Sequence, residues 1–142
     1  MKKLYVVGNK ASKSLSPTIF NYWFRKYNIK ASYGYLELTE KNFHNKIKDV
    51  LEKKDTLGLN VTIPFKNKII KHLGKIDAHA KKIGAVNCVT NKKTINGTNT
   101  DWTGYYKTLP NIKQTKNRKV IILGYGGASH ACLLYTSDAA DE

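Results

Sequence analysis

Short apolar runs alternate along this chain with stretches whose apolar residues recur every three to four positions. That alternation restricts the fold to an α/β layer. Residues 4–8 form a brief apolar run closed by Gly8, the pattern of a buried strand. Ser16 before Pro17 predicts a helix start, with Ser16 as cap and Pro17 at the first helical position. Ile19, Phe20, Trp23, Phe24 and Tyr27 then repeat at helical spacing. Residues 33–38 alternate like a strand, and Thr39 caps a helix with Phe43, Ile47, Val50 and Leu51 on one face. Residues 57–63 form the next strand. Pro64 opens a helix with Phe65, Ile69, Ile70 and Leu73 inward, and Gly74 closes it. A short helix over 76–83 ends at Gly84, strands over 85–90 and 94–98 are joined through Asn91-Lys92-Lys93, and a helix covers 101–109. Residues 110–117 read as a polar linker, and residues 119–123 as an apolar strand running into Gly124. The fold class is α/β with a mostly parallel sheet.

At 142 residues the chain suffices for one domain with its own core and is short for two complete α/β domains. Its hydrophobic content of 41% is that of a soluble globular protein. No apolar run approaches the length that spans a bilayer. Lys2 and Lys3 precede an apolar run too short for a signal peptide, so a cytoplasmic protein without membrane association is expected. The net charge of +15 raises nucleic-acid binding as an alternative. Of 25 basic residues, however, only Arg25 and Arg118 are arginine, the side chain that base and phosphate recognition favour. The 23 lysines are scattered, so the reading is a solvated surface that attracts an anionic substrate and a phosphorylated cofactor, with no nucleic acid. Cys88 and Cys132 stand far apart, and His44, His72, His79 and His130 show no ligand spacing, so neither a disulfide framework nor a metal site is implied.

In parallel sheets ligands sit beyond the carboxyl ends of the strands. Three polar clusters fall at such places: residues 12–16, residues 60–66, and Asn87 with residues 99–101. Lys66 falls in the first turn of the helix expected after Pro64, where the macrodipole disfavours a cation by up to about 1 kcal/mol. That placement can lower a lysine pKa, and a lowered pKa suits acid–base chemistry; an exposed surface lysine is the plainer alternative. Asp101 begins a helix, either as its cap or as a carboxylate that faces Lys66 and orients the amine. Ser14 and Ser16 bring hydroxyls to a helix N-terminus, a place for a substrate carboxylate, although Ser16 also serves as a cap. Residues 124–129 place a glycine turn between a strand and a helix, the context of a dinucleotide-binding turn. Gly124 permits the tight turn and Gly126 the approach of a pyrophosphate.

Five motifs together resemble the shikimate dehydrogenase family: Ser-Leu-Ser-Pro at 14–17, Asn-Val-Thr-Ile-Pro-Phe-Lys at 60–66, Gly-Ala-Val-Asn at 84–87, Asn-Thr-Asp at 99–101 and Gly-Tyr-Gly-Gly-Ala-Ser at 124–129. Their order and spacing match across about residues 1–131. The resemblance implies NADPH-dependent reduction of 3-dehydroshikimate to shikimate, on the way to chorismate and the aromatic amino acids. It gives Lys66 and Asp101 catalytic roles, and Ser14, Ser16, Thr62 and Asn87 substrate contacts. It sets Gly124, Tyr125, Gly126, Gly127 and Ala128 under the NADP pyrophosphate. No metal is implied, and the full-length form is expected as a homodimer. An NAD-using quinate/shikimate dehydrogenase is the runner-up. On this reading residues 1–110 are the substrate-binding domain. Residues 111–131 are a linker and the first strand, turn and helix of a truncated Rossmann domain. Residues 132–142, with three of the ten acidic residues, are a non-native tail. The helix beginning at Ala128 would then be barely one turn long, and the chain alone is expected to be inactive. Three residues depart from the family pattern: Phe20 replaces a His while Asn21 is kept, Cys88 replaces a Thr, and Tyr125 replaces an Ala in the glycine turn.

Overall fold

A computed structural model describes residues 1–108, 121–124 and 126–138, with side chains through residue 133. Strand β1 (Lys2–Gly8) pairs in parallel with β2 (Ala31–Glu37) on one side and with β3 (Thr56–Val61) on the other. Next to β3 runs β5 (Cys88–Asn91), antiparallel, followed by its hairpin partner β6 (Ile95–Thr98) and then the two-residue β4 (Lys75–Ile76), parallel to β6. The order across the sheet is β2-β1-β3-β5-β6-β4. The sheet is therefore mixed, with parallel pairing along its β2-β1-β3 half and at β4–β6. Five helices accompany it among the described residues: α1 (Ser16–Lys26), α2 (Phe43–Leu51), α3 (Ala78–Ile83), α4 (Asp101–Thr108) and α5 (Gly127–Asp138).

The main core lies between α2 and the sheet. Phe43, Ile47, Val50 and Leu51 turn inward as their spacing predicts, against Val7, Leu59, Val61 and Val89. Phe43 stacks on Phe65 with ring centroids 4.2 Å apart. Helix α1 uses its apolar stripe only in part. Phe20 and Phe24 pack on a smaller cluster of Val6, Ala11 and Tyr33, whereas Ile19, Trp23 and Tyr27 stay exposed. The helix packs chiefly on β2, the edge strand, which offers too narrow an apolar surface to cover a full stripe.

Several local expectations give way to tertiary demands. The helix expected from Pro64 does not form: Ile63–Pro64 is a cis peptide, Phe65 N–H donates to the Thr62 carbonyl at 3.0 Å, and only Lys68–His72 winds as a 3-10 turn. Gly74 N–H already donates to the Ile95 carbonyl at 2.9 Å, so pairing with the hairpin cuts the segment short. Asn42, not Thr39, stands at the N-cap of α2. Asp77 caps α3 by accepting from Ala80 N–H at 2.8 Å, and Gly84 closes it at φ 71°, a left-handed conformation that suits glycine.

Residues 121–124 are not in a strand, contrary to the apolar run; Ile121 and Leu123 are exposed, and no sheet pairing reaches them among the described residues. The linker at 110–117, positions 119 and 120, Tyr125 and residues 139–142 lie outside the described residues. Helix α5 runs for 12 residues, where barely one turn was expected, and continues past position 132. It seats Ala131 against Ile83 and Ala85, with Trp102 alongside. Among the described residues no helix is long and apolar enough to cross a membrane.

Candidate active site

Three segments converge beyond the carboxyl ends of β1 and β3: the loop into α1, the turn after β3, and the two ends of the β5–β6 hairpin. Between them lies a cleft of about 550 Å³.

The hairpin sets one wall. Asn87 N–H donates to the Thr98 carbonyl at 3.1 Å just before Cys88 pairs with Thr98. The Asn87 side chain accepts from Thr100 N–H at 2.9 Å and donates from Nδ2 to Asp101 Oδ1 at 2.8 Å. Asn99 is buried; its Nδ2 donates to the Ala85 carbonyl at 3.0 Å, and its Oδ1 accepts from Asp101 N–H at 2.9 Å. Asn99 thus satisfies the first N–H of α4. Asp101 opens that helix without having to cap it, and its carboxylate is left for other contacts.

The second oxygen of Asp101 meets Lys66. Nζ and Oδ2 lie 2.6 Å apart, and the lysine side chain is only 16% exposed. Lys66 is fixed at its backbone too, where its carbonyl accepts from Val86 N–H at 2.7 Å. The macrodipole argument for this lysine falls away, since Lys66 precedes the 3-10 turn and no α-helix begins there. The partner that orients its amine is Asp101. Helix α5 flanks the pair. A Cβ on Gly127 would lie 3.4 Å from Lys66 Cβ and Cδ and 3.0 Å from Ala85 Cβ, so any larger residue there would require Ala85 to give by a few tenths of an ångström. Burial, then the Asp101 charge, pushes the Cys132 thiol pKa up, which puts Cys132 in the same neighbourhood.

Ser14 and Ser16 line the opposite wall. Ser14 Oγ accepts from Ser16 N–H at 3.2 Å and donates to Ser16 Oγ at 3.1 Å. Ser16 is the first helical residue and makes no cap; Ser14 takes over that contact. Thr62 sits on the floor, with its N–H donating to the Val7 carbonyl at 2.8 Å. The structure therefore brings Ser14, Ser16, Thr62, Lys66, Asn87 and Asp101 to one cleft. Lys10 and Lys13 also line it and add positive charge.

Two participants were given no individual role from sequence, although Asn60 opens the polar cluster at 60–66. Asn60 faces the cleft from the end of β3, and Tyr33 O–H donates to its Oδ1 at 2.6 Å. Burial, and next the charge of Cys88, pushes the Tyr33 pKa up to about 12 against a lowering hydrogen bond with Ser16, so the phenol stays protonated. A lone Asn inside an apolar strand was the available signal for Asn60. Tyr33 gave none, because aromatic residues are ordinary in strands.

A second cavity of about 1010 Å³ adjoins the first across Thr62 and Lys66, and Gly126, Gly127, Ala128 and Ser129 at the start of α5 line its far side. Gly124 has φ 110°, again a conformation that favours glycine, and a Cβ on Gly126 would meet nothing within 4 Å. Backbone there is open to a ligand, and the first N–H groups of a helix are natural partners for phosphate. No group of three or more His, Cys, Asp or Glu that could hold a metal occurs among the described residues.

The family model for the shikimate dehydrogenase substrate binding domain matches residues 6–89. Shikimate dehydrogenase (NADP(+)) of Pelagibacter ubique is 38% identical, over 94% of this chain and 51% of its own length. Shikimate dehydrogenase from Aquifex aeolicus superposes with a TM-score of 0.86 at 33% identity, covering 98% of this chain and 53% of that one. A Thermus thermophilus shikimate 5-dehydrogenase in complex with NADP(H) and shikimate does so with a TM-score of 0.79 at 26% identity, over 98% of this chain and 53% of that one. The chain spans about half the length of the relatives it matches.

Proposed function

The chain belongs to the shikimate dehydrogenase family, and from that premise we propose that its cleft binds shikimate and 3-dehydroshikimate, with Lys66 moving the proton of the reacting oxygen. The Lys66–Asp101 pair at 2.6 Å, in a cleft shared with Ser14, Ser16, Thr62 and Asn87, carries this reading.

The roles follow from the bonds each group can make. Ser14 and Ser16 satisfy one another in the free cleft, and an incoming carboxylate exchanges that contact for two O–H donors beside a helix N-terminus. Lys10 and Lys13 favour the anion at the same mouth. Thr62 and Asn87 meet ring hydroxyls. Lys66 gives its proton to the substrate oxygen when a ketone becomes an alcohol and takes it back in reverse. Asp101 holds the ammonium in place through Oδ2, while Asn87 steadies Oδ1. The hydride chemistry is that of NADPH when bound, with Gly126, Gly127 and Ala128 beside its pyrophosphate. NADP as cofactor is supported by the names of the relatives. A homodimeric whole protein and a cytoplasmic location belong to the same reading.

The test is direct. Shikimate titrated into the 142-residue chain should bind saturably by calorimetry, and Ser14→Ala together with Ser16→Ala should remove the binding. In a protein completed with the second half of a relative, Lys66→Ala should abolish NADP reduction by shikimate and leave the fold intact. Undiminished turnover by that variant would refute the role of Lys66.

A further inference from the structure

Tyr33 is a strand residue 3% exposed, yet its side chain reaches two walls of the cleft. Its ring stacks on Phe20, centroids 4.6 Å apart and planes 7° from parallel, and Phe20 itself lines the cleft. Its backbone is clasped by Asn21, which donates from Nδ2 to the Tyr33 carbonyl at 2.8 Å and accepts from Tyr33 N–H at 2.9 Å. The ring is thereby held from α1, and the hydroxyl is delivered at a fixed point beside β3. There it donates to Asn60 Oδ1 at 2.6 Å.

An amide has two distinct ends, one accepting and one donating. With Oδ1 of Asn60 engaged by the phenol, the NH₂ end is the one offered to the cleft. A donor suits a ligand rich in oxygen acceptors; a flipped amide would present a carbonyl and repel a carboxylate. We propose that Tyr33 is a positioning residue that fixes the amide of Asn60 as a hydrogen-bond donor to the bound shikimate. This rests on the shikimate reading of the cleft.

Tyr33→Phe keeps the ring, the stack and the Asn21 clasp, and removes a single oxygen. Shikimate should bind the variant chain about five- to tenfold more weakly, as loss of the phenol's hydrogen bonds with Asn60 and Ser16 and a freely flipping amide imply. Phe24→Leu, which trims the same small cluster away from the hydroxyl, should lower the melting temperature and leave shikimate affinity unchanged. The side-chain ¹⁵N–H₂ signals of Asn60 supply a readout without ligand, and they should shift in Tyr33→Phe. Equal shikimate affinity of Tyr33→Phe and the unmodified chain would overturn the proposal, as would Asn60 signals that do not move. If the unmodified chain ignores shikimate, the substrate reading falls by itself, and the Asn60 signals still decide whether Tyr33 sets the amide.

Discussion

Lys66 and Asp101 stand 35 residues apart in the chain, and their charged atoms meet at 2.6 Å while the second carboxylate oxygen stays bound to Asn87. The aspartate is thus held by two partners, and the lysine by one side chain. Asp101→Asn keeps the shape and removes the charge, leaving a mostly buried ammonium without a counter-ion. The pair is intermediate between exposed and buried, so the expected loss is about 1–2 kcal/mol. Thermal unfolding of the variant chain measures it, and an unchanged midpoint would show that the pair contributes nothing to the fold.

Gly58 lies where β3 faces β5. A Cβ there would press into the carbonyl oxygen of Val89, a backbone atom in a paired strand that has no freedom to yield. Gly58→Ala should destabilise the chain by about 1–3 kcal/mol. A denaturant midpoint equal to that of the unmodified chain would contradict the close strand approach.

Thr56 offers the opposite outcome. It is 2% exposed, and its hydroxyl finds no hydrogen-bond partner among the described residues. Thr56→Val removes an unsatisfied group and suits a strand, so a gain of about 1 kcal/mol is expected. Melting at lower temperature than the parent would mean that the hydroxyl is satisfied after all.

His44 Nδ1 and His72 Nε2 lie 2.8 Å apart, a contact that requires one of the two nitrogens to be unprotonated. Burial, and then the charge of His44, lowers the His72 pKa below the ordinary 6.5. The unfolded chain therefore takes up the proton first as acid is added. Stability from this group is complete above about pH 6.5 and is lost as the pH falls through the lower folded value. Melting points recorded between about pH 7.5 and 5 should decline, and His72→Gln should flatten that decline. Identical slopes for both proteins would assign the acid sensitivity elsewhere.

The sequence made α2 legible because Phe43, Ile47, Val50 and Leu51 face the middle of the sheet, where local periodicity and burial agree. It misled at Pro64, where Phe65, Ile69, Ile70 and Leu73 have helical spacing but Gly74 is claimed by the hairpin. It misled on α1 for a related reason, since a stripe states how much apolar surface a helix carries and not how wide a sheet receives it. Lys66, Asp101 and Asn87 could be singled out because polar groups after strands and at helix starts carry a local signature. Asn99 as the stand-in cap was hidden, because which of two neighbouring polar residues receives the first N–H depends on how the hairpin exits. Tyr33 was hidden because its contact with Asn60 spans 27 residues and joins two ordinary strand positions.

The β5–β6 hairpin acts as a caliper. Its jaws, Asn87 and Asp101, are set by the rung between Cys88 and Thr98, four residues short of the tip around residues 92–94. Lengthening or replacing that tip leaves the jaw spacing untouched, because the rungs and not the bend define it. The tip is therefore the place where this chain accepts an inserted epitope or reporter without disturbing its working end.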